Sequence, residues 1–222
     1  MPAPLPRRRK PVRRDEILAA AREVFLERSF ENASVAEIAA RAGCVEGTIY
    51  TYFRSKRELL DSLLVAFYDR LIADVEAGFD AIVDTRARLS YLIARHLQVA
   101  IDDPAFARLI VRESRGHRPY FGSQLHALNR RYGQFLMRTL RDGIERGELR
   151  GDLDAALARD LVFGGLEHHV WNRLARRRKF VPARTATAIV ELLWSGWAAS
   201  DGGDLRGLEQ RVQRLERRID PG

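Results

Sequence analysis

Along most of the chain, apolar positions recur every three or four residues, the period of helices that turn one face inward. Ile17, Ala20, Ala21, Val24 and Phe25 keep this spacing, with Arg, Glu and Asp between them, and predict an amphipathic helix over 15–28. Ser34-Val35-Ala36-Glu37 has the capping-box pattern, in which the serine hydroxyl and the glutamate each satisfy a backbone N–H left open at a helix start. The helix it opens is short, because Gly43 can take the left-handed conformation that closes one. A second short helix is expected over 45–53. Ser55-Lys56-Arg57-Glu58 is another capping box, opening a longer helix. Two short helices around a tight turn, with a third beside them, make a helix-turn-helix, which reads DNA through its second helix.

Further segments with helical period fall at 58–80, 86–101, 104–115, 120–146, 154–178 and 183–199, separated by Pro, Gly and Asp. Strand patterns are nearly absent, so the fold class is all-α. Leu125, Leu128, Tyr132, Phe135, Leu136, Leu140 and Ile144 form a stripe wide enough for a buried central helix. Leu205, Leu208, Val212, Leu215 and Ile219 alternate three- and four-residue steps, a seam of about two heptads that is too short to stand as an isolated coiled coil. The expected organisation is a disordered basic arm over 1–12, a helix-turn-helix domain over 13–57, a larger helical domain over 58–201 and an amphipathic helical extension over 202–222.

Charge sharpens this picture. The 222 residues carry a formal charge of +8, and residues 1–57 alone hold 12 basic against 7 acidic side chains. The excess at the N-terminus favours an anionic partner such as nucleic acid. The arm contributes Arg7, Arg8, Arg9 and Lys10, followed by Arg13 and Arg14, a composition suited to the negative potential of a narrow minor groove. The single cysteine, Cys44, excludes an intrachain disulfide. No apolar run is long enough for an export signal or a membrane span, so a cytoplasmic protein without a membrane partner is expected. Phosphate loops, nucleophile elbows and metal-spaced His/Glu sets are missing, which disfavours a helical enzyme.

Ser34, Ile38-Ala39, Gly43, Gly47-Thr48-Ile49-Tyr50, Tyr52-Phe53, Ser55-Lys56 and Leu59-Leu60 together resemble the signature of the TetR family of bacterial transcriptional regulators, over about residues 13–62. The resemblance implies a homodimer, a three-helix DNA-binding domain on a palindromic double-stranded operator, and a helical domain whose small-molecule effector controls DNA affinity. Arg13, Ser34, Glu46, Gly47, Thr48, Tyr50, Tyr52 and Lys56 are then the candidate DNA contacts. Gly47 and Thr48 permit close approach to phosphate, Tyr50 offers a ring face and a hydroxyl, and Lys56 adds its cation to a helix N-terminus. Glu46 stands where many family members carry Lys or Arg, and its carboxylate could accept from cytosine N4. Val45 supplies no side-chain cap.

In the larger domain, His96, Tyr120, Asn129, Tyr132, His168 and Trp171 are candidate effector contacts, as polar marks in an apolar pocket. Leu157, Leu161, Gly164, Gly165, Leu166 and Trp171, with Ile189, Val190, Leu193, Trp194 and Trp197, are assigned to the dimer interface that the resemblance implies. His168 and His169 diverge by about 100° on a helix and make no metal site; no cofactor is expected. Arg173, Arg176, Arg177, Arg178 and Lys179 either complement a helix C-terminus or hold an anionic ligand tail; the long-helix body resembles regulators of lipid metabolism in the same family, and that resemblance implies a fatty acyl-CoA as one candidate effector. The alternatives are an effector-independent activator or architectural DNA-binding protein.

Overall fold

Capping chemistry sets the first boundaries. In the computed structural model, which describes residues 10–116, 120–176 and 178–199, Ser34 caps helix α2 (Val35–Arg41) as the sequence requires. Its hydroxyl accepts from the Glu37 N–H at 3.1 Å, and the Glu37 carboxylate accepts from the Ser34 N–H at 3.0 Å. Gly43, at φ 61°, turns the chain out of α2 into α3 (Glu46–Tyr52). Ser55 caps α4 (Lys56–Phe79) through the Glu58 N–H.

Helix α1 (Lys10–Asn32) begins inside the segment expected to be a disordered arm. Pro11 fits the first turn, where an N–H has no intrahelical partner. The backbone breaks at Ser29, φ 70° and ψ 163°, which ends the regular helix close to the expected position 28. Arg7, Arg8 and Arg9 lie outside the described residues, as do Arg177 and the extension over 202–222 with its seam Leu205, Leu208, Val212, Leu215 and Ile219.

α1 packs on α2 and α4, and Ile17, Ala21, Val24 and Phe25 meet Ile38, Ile49, Phe53 and Leu60 in the small N-terminal core. The larger body comprises the rest of α4 with α5 (Thr85–Asp102), α6 (Pro104–Gly116), α7 (Gln124–Glu145), α8 (Ala155–Ala175) and α9 (Pro182–Trp197). α7 is the central helix: Leu125, Leu128, Tyr132, Leu136 and Leu140 are all buried, between α4, α5 and α8. It starts four residues later than expected because Ser123 accepts from the His126 N–H and caps it.

α9 lies along α5 and is tied at its end to the loop after α7, where Arg150 N–H donates to Trp197 at 2.9 Å and Ala199 N–H donates to Glu148 at 3.0 Å. This packing corrects part of the dimer assignment. Val190 and Trp197 on α9, and Leu166 on α8, are buried within the subunit, whereas Ile189, Leu193 and Trp194 are half-buried and keep exposed surface.

Candidate functional site

Among the described residues, two places are suited to meeting a partner, the outer face of α3 and a cavity in the body. On α3, Ile49 and Phe53 are buried and anchor the helix, so the residues about half a turn away must face solvent. Glu46, Gly47 and Tyr50 are exposed there, Tyr50 to 53%. Thr48 is half-buried. A Cβ added at Gly47 meets nothing within 4 Å. No packing inside the chain therefore calls for glycine at this helical position, where it costs about 1 kcal/mol relative to alanine. α3 starts at Val45 without a side-chain cap, as expected.

The candidates around α3 have other employment. Lys56 was expected to offer its cation outward; instead its ammonium donates to the carbonyl oxygens of Phe30, Glu31 and Ala33 at 2.8, 3.1 and 2.7 Å. Those carbonyls cluster at the end of α1 because the helix breaks there, and a cation is the natural cap for them. Arg13 donates to the Ala42 carbonyl at 3.1 Å and pairs with Glu16, bracing α1 against the turn. Ser34 is exposed but serves as the α2 cap. Tyr52 is half-buried against the core. Cys44 sits beside the turn, and burial pushes its thiol pKa up, which opposes formation of a reactive thiolate.

The body encloses a cavity of about 860 Å³ between α4, α5, α6, α7 and α8. Of the expected effector contacts, His96, Tyr120, Asn129 and Tyr132 line it, on three different elements of the fold. His168 and Trp171 do not. They lie on the opposite, outward face of α8, their rings 5.9 Å apart, with Trp171 half exposed. Leu157, Leu161 and Gly165 continue the same outward stripe, Leu157 and Leu161 being 56% and 58% exposed, while Gly164 borders the cavity. α8 is apolar on two faces, and sequence alone assigned residues of the outer face to the cavity.

Burial dominates the electrostatics of the interior. It lowers the His96 pKa to about 4, against the field of Glu167, so the imidazole is neutral at physiological pH. It also raises the Tyr68 and Tyr132 hydroxyls above their ordinary range. Tyr68 donates to the Asn129 side-chain oxygen, and the Asn129 amide donates to Tyr120 at 2.8 Å. His96 stacks on Tyr132 with ring centres 5.9 Å apart and meets Phe163 at 5.6 Å. Tyr68 and Phe163, which also line the cavity, are not among the effector contacts expected from sequence.

Of the exposed members of the lining, Arg130, Gln134, Asp160 and Gly164 open a mouth between α7 and α8, and Phe121, 78% exposed, borders the cavity from the loop before α7. Arg159, paired with Asp160 at 2.7 Å, borders it. The basic cluster at the end of α8, represented here by Arg173, Arg176, Arg178 and Lys179, does not line the cavity. Among the described residues, no group of three or more His, Cys, Asp or Glu side chains could hold a metal ion, and no helix is long and apolar enough to cross a membrane.

Comparison with known proteins matches two stretches of the chain. Residues 17–63 match the family described as bacterial regulatory proteins, tetR family, and residues 67–196 match the YsiA-like protein C-terminal region. A fatty acid metabolism regulator protein of Bacillus subtilis is 28% identical over 181 residues, 82% of this chain and 93% of its own. The transcriptional repressor KstR2 of Mycobacterium tuberculosis is 32% identical over 167 residues, 72% of this chain and 78% of its own. The crystal structure of the regulator FadR from Bacillus subtilis in complex with stearoyl-CoA superposes with a TM-score of 0.75 at 28% identity, covering 82% of this chain and 98% of that one. With the outward α3 in the N-terminal part and the larger helical part matched along most of its length, the chain belongs to the tetR family of bacterial regulatory proteins.

Proposed function

We propose that this protein is a cytoplasmic, homodimeric repressor that binds a palindromic operator through α3 and leaves it when an acyl-CoA thioester enters the body cavity. The observation that carries the reading is the cavity itself. About 860 Å³ lies within the 300–1,000 Å³ typical of small-molecule sites, and α6, which forms one wall, also packs on α1 of the DNA-reading unit. The stearoyl-CoA complex of a relative covering most of this chain supports the choice of ligand class. In that reading the hydrocarbon lies among Val99, Ala100, Ile110 and Phe163, and each buried methylene contributes about 0.8 kcal/mol. The phosphates are held at the mouth by Arg130 and Arg159 rather than by the cluster over 173–179. The protein's work is binding, not catalysis.

The α8 stripe of Leu157, Leu161, Gly165 and Trp171 supports dimerisation. A Cβ on Gly165 would meet nothing within 4 Å in the subunit, so room for close approach is left to a second copy. Two-fold pairing sets the spacing of the two α3 helices, and effector binding alters it.

The test is thermal stability with a series of acyl-CoA chains, followed by operator release, using duplexes selected from random sequence. A ligand at 100 times its Kd stabilises by about 2.7 kcal/mol, which for a chain of this size raises Tm by about 5–10 °C. Absence of any shift across the series, or a shift with operator binding unchanged, rejects the reading.

A further inference from the structure

The inner half of the cavity is furnished for more than a saturated hydrocarbon. His96 projects from α5 into a layer of rings, stacked on Tyr132 and tilted against Phe163. Its Nδ1 is sealed from solvent and has no hydrogen-bond partner. The ring nevertheless keeps some accessible surface and lines the cavity, so its remaining edge is turned to the cavity space. A neutral imidazole has one donor and one acceptor, and among the described residues neither is used. Buried polar groups are normally satisfied, and an exception beside an empty volume asks for a partner from outside the chain.

A second unspent group faces the same volume. In the Tyr68–Asn129–Tyr120 relay, Tyr68 donates to Asn129 and Asn129 donates to Tyr120, so the relay ends on a hydroxyl that accepts and still carries its own proton. Tyr120 lines the cavity and is half-buried. A plain alkyl chain at this depth would leave the His96 edge and the Tyr120 proton unpaired, at a cost that a ligand with a matching oxygen avoids.

We infer that the cavity selects acyl thioesters whose hydrocarbon part carries an oxygen function, a hydroxyl or a ketone, read by His96 and Tyr120, over the fully saturated chain. This rests on the thioester reading above and narrows it to a ligand subclass.

The experiment is calorimetric titration of the full chain with stearoyl-CoA and with a positional series of hydroxystearoyl-CoA and oxostearoyl-CoA isomers. At least one isomer is expected to bind about tenfold tighter than stearoyl-CoA, the worth of one well-placed hydrogen bond together with the unpaired groups it relieves. In His96→Leu the ratio of oxygenated to saturated affinity should fall toward one, which a merely structural histidine, weakening both ligands alike, would not produce. Tyr120→Phe, which removes one oxygen from a half-buried ring, gives an independent loss of preference if His96→Leu fails to fold. Saturated and oxygenated chains binding alike, or the saturated chain binding tighter, overturns this inference and leaves the thioester reading standing. No binding by any thioester overturns both.

Discussion

Ligand control requires a mechanical tie between the cavity and the DNA-reading unit, and the ion pair of Arg57 with Glu113 is placed to provide one. Arg57 is in the first turn of α4, beside Lys56, which clamps the end of α1; its guanidinium lies 4.1 Å from the Phe30 ring centre. Its Nη1 donates to the Glu113 carboxylate at 2.8 Å. Glu113 is on α6, two to six residues beyond the cavity-lining Ala107, Ile110 and Val111, and its side chain is only 3% exposed, against 42% for Arg57. Removing one partner of a buried pair costs about 3–5 kcal/mol, and an exposed pair is worth at most about 1 kcal/mol. With one side buried and the other half open, Arg57→Ala should cost about 2 kcal/mol and lower Tm by about 4–8 °C.

The double variant Arg57→Met with Glu113→Leu should recover part of this loss, because no uncompensated charge remains inside. Its coupling of ligand to operator should nonetheless weaken, since α6 would pull on α4 through apolar contact alone. Urea unfolding of the single and double variants gives the pairwise energy, and operator titration with and without saturating ligand gives the coupling. A pairwise energy below about 0.5 kcal/mol, with ligand-induced operator release unchanged, would refute the tie.

Gly47→Ala should raise helix stability by as much as about 1 kcal/mol, since the added methyl meets nothing in the chain, yet weaken operator binding measured by fluorescence polarisation. Unchanged affinity would show that α3 does not approach DNA at this point. Leu161→Asp changes a side chain that is 58% exposed and should leave the subunit folded by circular dichroism while shifting sedimentation from dimer toward monomer. His96, neutral when folded because burial lowers its pKa to about 4, binds a proton near pH 6.5 once unfolded. The unfolded state therefore holds more protons between those values, so this contribution is complete above pH 6.5 and is lost as pH falls toward 4. Relative to His96→Leu, the wild type should lose up to about 3 kcal/mol across that window in urea titrations.

Which of these features could be read from the chain depends on how far apart the interacting atoms lie in sequence. Ser34 with Glu37, and Ser55 with Glu58, are three residues apart, so their caps follow from spacing alone. The partners of Lys56 lie 23 to 26 residues earlier, and only the break at Ser29 gathers their carbonyls, so a cation that reads as free for phosphate proves to be a structural clamp. The two faces of α8 pose a different difficulty. Val162, Leu166 and Val170 face inward and Leu157, Leu161 and Trp171 outward, and periodicity sees two apolar stripes without saying which one a second copy will cover. Even the cavity leaves a faint trace, carried by small residues rather than by large ones. Ala100 on α5, Ala107 on α6, Gly133 on α7 and Gly164 on α8 all border it, one withheld side chain from each of four helices. Taken singly, each is an ordinary helix residue. Converging across four helices, they leave the space between the helices unfilled, and that convergence exists only once the helices are packed.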